Sequence, residues 1–157
     1  MNVLEFRKIT MQDDVDHYYN DGQAWSRVYE YPFVIKKILN FYKPGNSIHN
    51  TSWGFEGLHV LFKEKLEKSF NNVVHSDIKH SNLSNTFHYD ITKEPEPDHI
   101  ERYDFVLNIS TMEEVNHDHL SVFQNLFRQV KKGGFLLLLS TYLVCRYISS
   151  KIFSLER

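Results

Sequence analysis

Four polar side chains stand at the ends of segments that the hydrophobic pattern predicts to be buried strands: Asn50, Asp77, Asp90 and Asn108. In an open parallel sheet, ligands bind in the crevice beyond the carboxyl ends of the strands. A buried carboxylate is costly unless it is hydrogen-bonded or paired. A single aspartate at a strand end is more often a turn former or a helix cap. Because the four follow one another in order along the chain, together they favour a ligand-binding edge.

Two further polar clusters are better explained by structural roles. The run EEVNHDHL (residues 113–120) has neither zinc-ligand spacing nor an HExxH pattern, so no metal is predicted. Acidic residues near a helix start are in any case favoured by the helix dipole. His75 lies inside a predicted strand and need not point the same way as Asp77 and His80. Cys145 has no activating neighbour in the sequence and is predicted to pack on a helix.

The elements that would position the strand ends alternate between strand and helix. One helix is predicted with Pro32 in its first turn, a second begins at Leu58, and a third follows capping-box spacings at residues 110–114 and stops at Gly133-Gly134. The alternation predicts an α/β fold with right-handed crossovers. Five strands are expected, over residues 47–50, 73–76, 86–89, 105–108 and 135–139.

The segments YDFVLNISTMEEV (residues 103–115) and KKGGFLLLLS (residues 131–140) carry a family resemblance. Their order resembles the second half of the class I S-adenosylmethionine-dependent methyltransferase domain, and the resemblance covers residues 30–140. It implies a Rossmann-like open, mainly parallel sheet of order 3-2-1-4-5 with helices on both faces, lacking the usual C-terminal strand pair. It also implies S-adenosyl-L-methionine as the cofactor.

The resemblance implies that the loop Asn50–Gly54 holds the methionine end of the cofactor. Gly54 matches an expected glycine, whereas Ser52 and Asn50 stand where the family has a glycine and an acid. The loop is therefore less permissive for a close approach of the backbone. Trp53 is either an anchor of this loop or part of the pocket wall.

The same resemblance assigns further cofactor contacts. Asp77 would hold the ribose hydroxyls, and Asp90 would accept a hydrogen bond from the adenine amino group. Ile91 would pack on the adenine ring. Asn108 and Ile109 would border the cofactor from the loop after the fourth strand.

The sequence does not identify a single catalytic residue. Glu114 and His117 are candidates for a general base, because their loop faces the methyl-transfer site in the family. A dinucleotide site would need a G-x-G-x-x-G run, and this chain offers only Gly54-x-x-Gly57 and no P-loop lysine. The sequence thus favours a methyltransferase acting on a small molecule or sugar. The alternative is a non-catalytic binding or scaffold domain that keeps the fold.

Composition sets the broad class. The chain has 157 residues, of which 41% are hydrophobic and 24% charged, as in ordinary globular domains. Its 18 basic and 20 acidic residues give a net charge of −2, without a basic block that would indicate nucleic-acid binding. One cysteine fits a reducing cytoplasm. Neither a signal peptide nor a run long enough to span a membrane is present, so no membrane partner is predicted.

A single methyltransferase-like domain is predicted over residues 1–157, with an N-terminal arm at 1–30 and an α/β core at 31–157. The sequence stops one helix after the fifth strand, so a short family member or a fragment is expected. The fifth strand would then be an apolar sheet edge, and such edges invite pairing with another chain. A homodimer through this edge is therefore predicted.

Overall fold

A computed structural model describes residues 2–3, 27–54, 58–140 and 155–156, and all elements below lie in those ranges. The three helices are α1 (Arg27–Phe41), α2 (Leu58–Ser69) and α3 (His119–Arg128). The strands are β1 (Asn2–Val3), β2 (Ile48–Thr51), β3 (Val73–Asp77), β4 (Thr86–His88), β5 (Tyr103–Ile109), β6 (Val130–Leu139) and β7 (Leu155–Glu156). Short 3-10 turns lie at Pro97–His99 and Met112–Glu114.

The main sheet has five parallel strands in the order β4-β3-β2-β5-β6. This confirms the predicted order 3-2-1-4-5 and the Rossmann-like class, with β2 as the first strand of that count. All four residues of β2 are buried, as expected for a central strand covered on both faces. The carboxyl ends of β2, β3, β4 and β5 therefore meet at one edge of the sheet.

Helices cover both faces of the sheet. On one face, α1 and α2 pack Val34, Ile38 and Leu66 against Ile48 and Leu107. On the other face, Val122 and Leu126 of α3 pack against strand residues that include Val106 and Leu136. The alternation of side chains along β5 and β6 divides the apolar residues between these two cores.

The interior also holds a polar side chain in the middle of β2. His49 is fully buried, with Nδ1 2.8 Å from Gln129 Oε1 and Nε2 2.7 Å from Ser76 Oγ. Burial removes water from the charged imidazolium and lowers the pKa of His49 to about 3, so the ring is neutral in the folded protein. The ring thereby joins β2, β3 and the segment after α3.

Two predicted helix starts are wrong. Helix α1 begins at Arg27, so Pro32 lies inside the helix and not in its first turn. Helix α3 begins at His119, where both Asp118 carboxylate oxygens accept backbone N–H groups, from Leu120 and Ser121. Of the capping-box residues 110–114, Met112–Glu114 form a 3-10 turn, and Thr111 at its N-cap position makes no side-chain cap.

Gly133 and Gly134 do not stop α3, as the sequence predicted, but lie within β6. The pairing of β5 with β6 shifts register between Tyr103 and Phe105, and the N–H groups of Asp104 and Phe105 both donate to Ser47 O at 3.0 Å. This bulge brings the Asp104 carbonyl against Gly134, where a Cβ atom would lie 2.7 Å from the carbonyl oxygen. The glycine therefore permits the close approach of the two strands.

At the sheet margins, β4 and β6 are the edge strands. The short strand β7 pairs antiparallel with β1 and lies beside β6. The helix predicted after Leu143 falls outside the described residues, except that Leu155 belongs to β7. Over the described ranges, no helix is both long and apolar enough to cross a membrane.

Candidate functional site

A cavity of about 360 Å³ lies at the carboxyl edge of the sheet. Its walls come from the β2–α2 loop, the start of α2, and the segments that follow β3, β4 and β5. The lining residues are Ser52, Gly54, His59, Asp77, Ile78, Lys79, Tyr89, Asp90, Ile91, Thr92, Ser110, Thr111, Glu114 and Val115. Of the residues that the sequence singled out, six line this cavity: Ser52, Gly54, Asp77, Asp90, Ile91 and Glu114.

Asp77 connects the end of β3 to the β2 loop. Its Oδ2 accepts a hydrogen bond from Gly54 N at 3.0 Å, and its Oδ1 accepts one from Lys79 N at 3.0 Å. A carboxylate has about four lone-pair sites, so each oxygen can still accept a hydrogen bond from a ligand. Asp77 can therefore fix the loop and bind a donor pair in the cavity with the same carboxylate.

Asp90 and Ile91 form the wall on the β4 side. Asp90 Oδ1 accepts from the backbone N–H of Thr92 at 2.9 Å and from its hydroxyl at 2.8 Å. Partial burial opposes ionisation of Asp90, but these hydrogen bonds outweigh it and hold the pKa of its carboxyl below the ordinary value. An ionised acceptor therefore stands next to Ile91, a buried apolar side chain.

The β2 loop adopts a left-handed backbone at two positions. Ser52 has φ 54° and Gly54 has φ 68°. A Cβ atom on Gly54 would lie 3.0 Å from Cδ2 of His59, the second residue of α2. Glycine is thus favoured at position 54 both by its backbone and by the His59 ring behind it. Ser52 has a left-handed backbone as well, although a serine adopts it less readily than a glycine. The class I methyltransferases that the sequence resembles have a glycine at this position.

Four predicted cofactor contacts are buried behind the cavity wall: Asn50, Trp53, Asn108 and Ile109. Asn50 Nδ2 lies 3.2 Å from His75 Nδ1. Asn108 donates to Thr51 Oγ1 at 3.0 Å and accepts from Met112 N at 3.1 Å. In this structure, Asn50 therefore contacts the neighbouring strand β3, Asn108 connects β2 to the loop after β5, and neither residue lines the cavity.

The loop after β5 contributes more of the wall than the sequence predicted. Ser110, Thr111, Glu114 and Val115 line the cavity, while His117 is exposed and does not. The described residues contain no group of three or more His, Cys, Asp or Glu side chains that could hold a metal ion. Carboxylates, hydroxyls and apolar side chains therefore make up the chemistry of this wall.

The weak periodicity of residues 1–30 concealed the contribution of α1. Glu30 is 3% exposed, and its Oε1 accepts a hydrogen bond from Ser110 Oγ at 2.6 Å. The adjacent Tyr31 hydroxyl lies 2.7 Å from His59 Nδ1. One sequence signal could have indicated these residues: an acid and an aromatic residue directly before the apolar stripe of the helix.

Taken together, the cavity wall combines the Asp77 carboxylate at the end of β3 and the Asp90 carboxylate after β4 with the backbone of Gly54 and the apolar side chains of Ile91 and Val115. Carboxylates accept hydrogen bonds from hydroxyl and amino groups, and apolar side chains accommodate a flat ring. Asp77 and Asp90 both lie at this edge because β3 and β4 are parallel neighbours. The site can therefore bind an elongated ligand with donors at several points along its length.

Comparisons with known proteins agree on the fold. No protein-family model and no curated protein matches the chain. Among solved structures, the CurJ carbon methyltransferase matches with a TM-score of 0.58 and 14% identity, over 79% of this chain and 37% of that chain. The methyltransferase bound to the Trm112 activator of Haloferax volcanii matches with a TM-score of 0.54 and 13% identity, over 84% of this chain and 62% of that chain.

A protein of Rhodobacter sphaeroides described as a Zn-dependent alcohol dehydrogenase matches with a TM-score of 0.54 and 17% identity, over 68% of this chain and 45% of that chain. This chain thus spans 37% to 62% of the lengths of these three structures. At such identities the similarity establishes the fold and not the reaction. The resemblance to class I methyltransferases is confirmed as a resemblance of fold.

Proposed function

We propose that this chain binds S-adenosyl-L-methionine and is a methyltransferase that acts on a small molecule or sugar. The observation that carries the proposal is the Asp77 carboxylate, which lines the cavity and also holds Gly54 of the loop after the central strand. This arrangement fits a ligand that has a vicinal diol beside a segment lying against the backbone. Gly54 lines the cavity, so its backbone can lie against that segment of the ligand.

In the proposed complex, Asp77 accepts hydrogen bonds from the ribose hydroxyls. Asp90 accepts one from the adenine amino group, and Ile91 packs on the ring. The Ser52–Gly54 loop lies along the methionine end, and the buried residues Asn50, Trp53 and Asn108 lie outside the cavity lining. When bound, the cofactor supplies an electrophilic methyl group. The residues of the chain then bind and align the two reactants, which can supply a large part of the rate acceleration.

The acceptor site belongs to the loop after β5. Glu114 lines the cavity and is the candidate for accepting a proton from the methyl acceptor, whereas His117 would need the loop to move. A net charge of −2 favours a small molecule or sugar over nucleic acid. The proposal also includes a cytoplasmic location, one domain over residues 1–157, and a homodimer through the β6 edge.

A second candidate function is a non-catalytic binding or scaffold domain. It is favoured by the β2 loop, where Asn50 replaces the acid and Ser52 occupies a left-handed position in place of glycine. Such a domain would bind S-adenosylhomocysteine without transferring a methyl group to any acceptor. Binding and turnover therefore have to be measured separately.

Titration calorimetry with S-adenosylhomocysteine tests the proposal. The wild-type chain is compared with Asp77→Asn, which keeps the shape of the side chain, and with Asp98→Asn, an exposed aspartate outside the cavity. NADH serves as the competing ligand. We expect S-adenosylhomocysteine to bind the wild type and the Asp98 variant, and to bind Asp77→Asn at least ten-fold more weakly. Binding of NADH alone, or no binding to a folded chain, would refute the proposal.

A further inference from the structure

Helix α1 connects two residues that line the cavity from different elements. Glu30 accepts a hydrogen bond from Ser110, which follows β5, and Tyr31 contacts His59 at the start of α2. Both α1 residues are 3% exposed. Through two adjacent side chains, α1 thus fixes lining residues on either side of the β2 loop.

The direction of the hydrogen bond between Ser110 and Glu30 determines what Ser110 can offer to a ligand. A hydroxyl group has one proton, and a carboxylate is a hydrogen-bond acceptor. The Ser110 proton is therefore committed to Glu30 at 2.6 Å. The remaining lone pairs on Ser110 Oγ can only accept, so a ligand group that approaches this oxygen must carry an N–H or O–H.

The sheet order locates Ser110 along the cavity. Strand β5 pairs with β2 on the side opposite to β3, so the segment after β5 lies beside the Ser52–Gly54 loop. Asp90, which follows β4, lies at the other end of the site. Under the function proposed above, Ser110 is therefore at the methionine end of the cofactor, whose ammonium group is a hydrogen-bond donor.

We infer that Ser110 Oγ, oriented by Glu30, accepts a hydrogen bond from the ammonium group of the bound cofactor. Glu30 is then a positioning residue that acts through Ser110. This contact lies outside the β2 loop, where Asn50 stands in place of an acid and does not reach the cavity. The inference rests on the proposed function and adds the residues that would recognise the amino group.

The test compares two ligands by titration calorimetry: S-adenosylhomocysteine and its deaminated analogue, in which hydrogen replaces the amino group. We expect the wild type to bind S-adenosylhomocysteine more tightly than the analogue by roughly ten-fold or more, because a hydrogen bond from a charged group contributes more than a neutral one. In Glu30→Gln the neutral amide can either donate to Ser110 Oγ or accept its proton, so Ser110 is no longer held as an acceptor alone. The preference should then weaken while the analogue binds as before.

Two further variants make the result decisive. Ser110→Gly removes the hydroxyl and suits the left-handed backbone at this position, where φ is 46°, so it should lose the preference even if Glu30→Gln fails to fold. Glu96→Gln removes one exposed charge outside the cavity and should retain it.

The inference is overturned if Ser110→Gly still prefers S-adenosylhomocysteine to the analogue as strongly as the wild type does. It is also overturned if Ser110→Gly lowers the affinities for the two ligands by the same factor. If the wild type binds both ligands equally, the inference fails but the proposed function stands. If the wild type binds neither ligand, the proposed function fails with it.

Discussion

Replacing Gly54 by alanine should damage both the stability of the domain and its ligand site. A left-handed backbone destabilises an L-residue such as alanine by about 1–2 kcal/mol in the folded state. Alanine is also less flexible than glycine in the unfolded chain, and this stabilises the folded state by about 0.4–1 kcal/mol. The backbone at φ 68° therefore contributes a net loss of about 1 kcal/mol. The new Cβ atom would also lie 3.0 Å from the His59 ring. Moving the ring disturbs its contact with Tyr31 and adds about 1 kcal/mol.

Gly133→Ala is the matched control. Gly133 has φ 79°, and a Cβ atom there would meet nothing within 4 Å. In urea unfolding, we expect the free energy of unfolding to fall by about 1 kcal/mol in Gly133→Ala and by about 2 kcal/mol in Gly54→Ala. Affinity for S-adenosylhomocysteine, measured by calorimetry, should fall only in Gly54→Ala.

The double variant Gly54→Ala/His59→Ala separates the two causes, because it removes the ring that the new Cβ atom meets. Compared with His59→Ala alone, the double variant should lose only the backbone contribution of about 1 kcal/mol in the free energy of unfolding. Equal losses of stability in Gly54→Ala and Gly133→Ala, together with unchanged affinity in both, would refute the reasoning that position 54 requires glycine for the cavity wall.

Three further predictions concern stability, each measured by urea unfolding. Ser52→Gly should stabilise the domain by about 1 kcal/mol or less, because it relieves a left-handed serine; destabilisation would contradict this. Burial lowers the pKa of His49 to about 3 and of His75 to about 4. Below about pH 6.5, these two histidines therefore bind protons in the unfolded chain before they do so in the folded one. As the pH is lowered from about 6 to 4.5, the free energy of unfolding should fall by roughly 1.4 kcal/mol per pH unit for each histidine. A free energy of unfolding that does not change over this range would refute the prediction. Gly134→Ala should lower the free energy of unfolding by about 1–3 kcal/mol, because its Cβ atom would meet a backbone carbonyl; an unchanged stability would contradict the close strand approach.

The strands could be predicted because their signals are local: short apolar runs ending in polar residues locate buried strands. The order of the strands was implied by the resemblance to class I methyltransferases, because right-handed crossovers restrict the order of a sheet but do not fix it. The predicted start of α3 failed because the residues with capping-box spacing are used elsewhere. Ser110 gives its proton to Glu30, and the Thr111 hydroxyl donates to Ile109 O at 3.1 Å. Spacing alone cannot show that tertiary partners compete for the same side chains.

The candidate site was predictable where a strand end places a residue directly in the cavity, as at Asp77 and Asp90. It was not predictable where a contact joins distant parts of the chain. The β2 loop lacks a glycine at position 52, yet Asp77 holds Gly54 from the next strand and His59 packs behind it. Tyr31 in turn holds His59. The shape of the loop thus depends on contacts from β3, α2 and α1, and this is why its departures from the family pattern do not by themselves exclude cofactor binding.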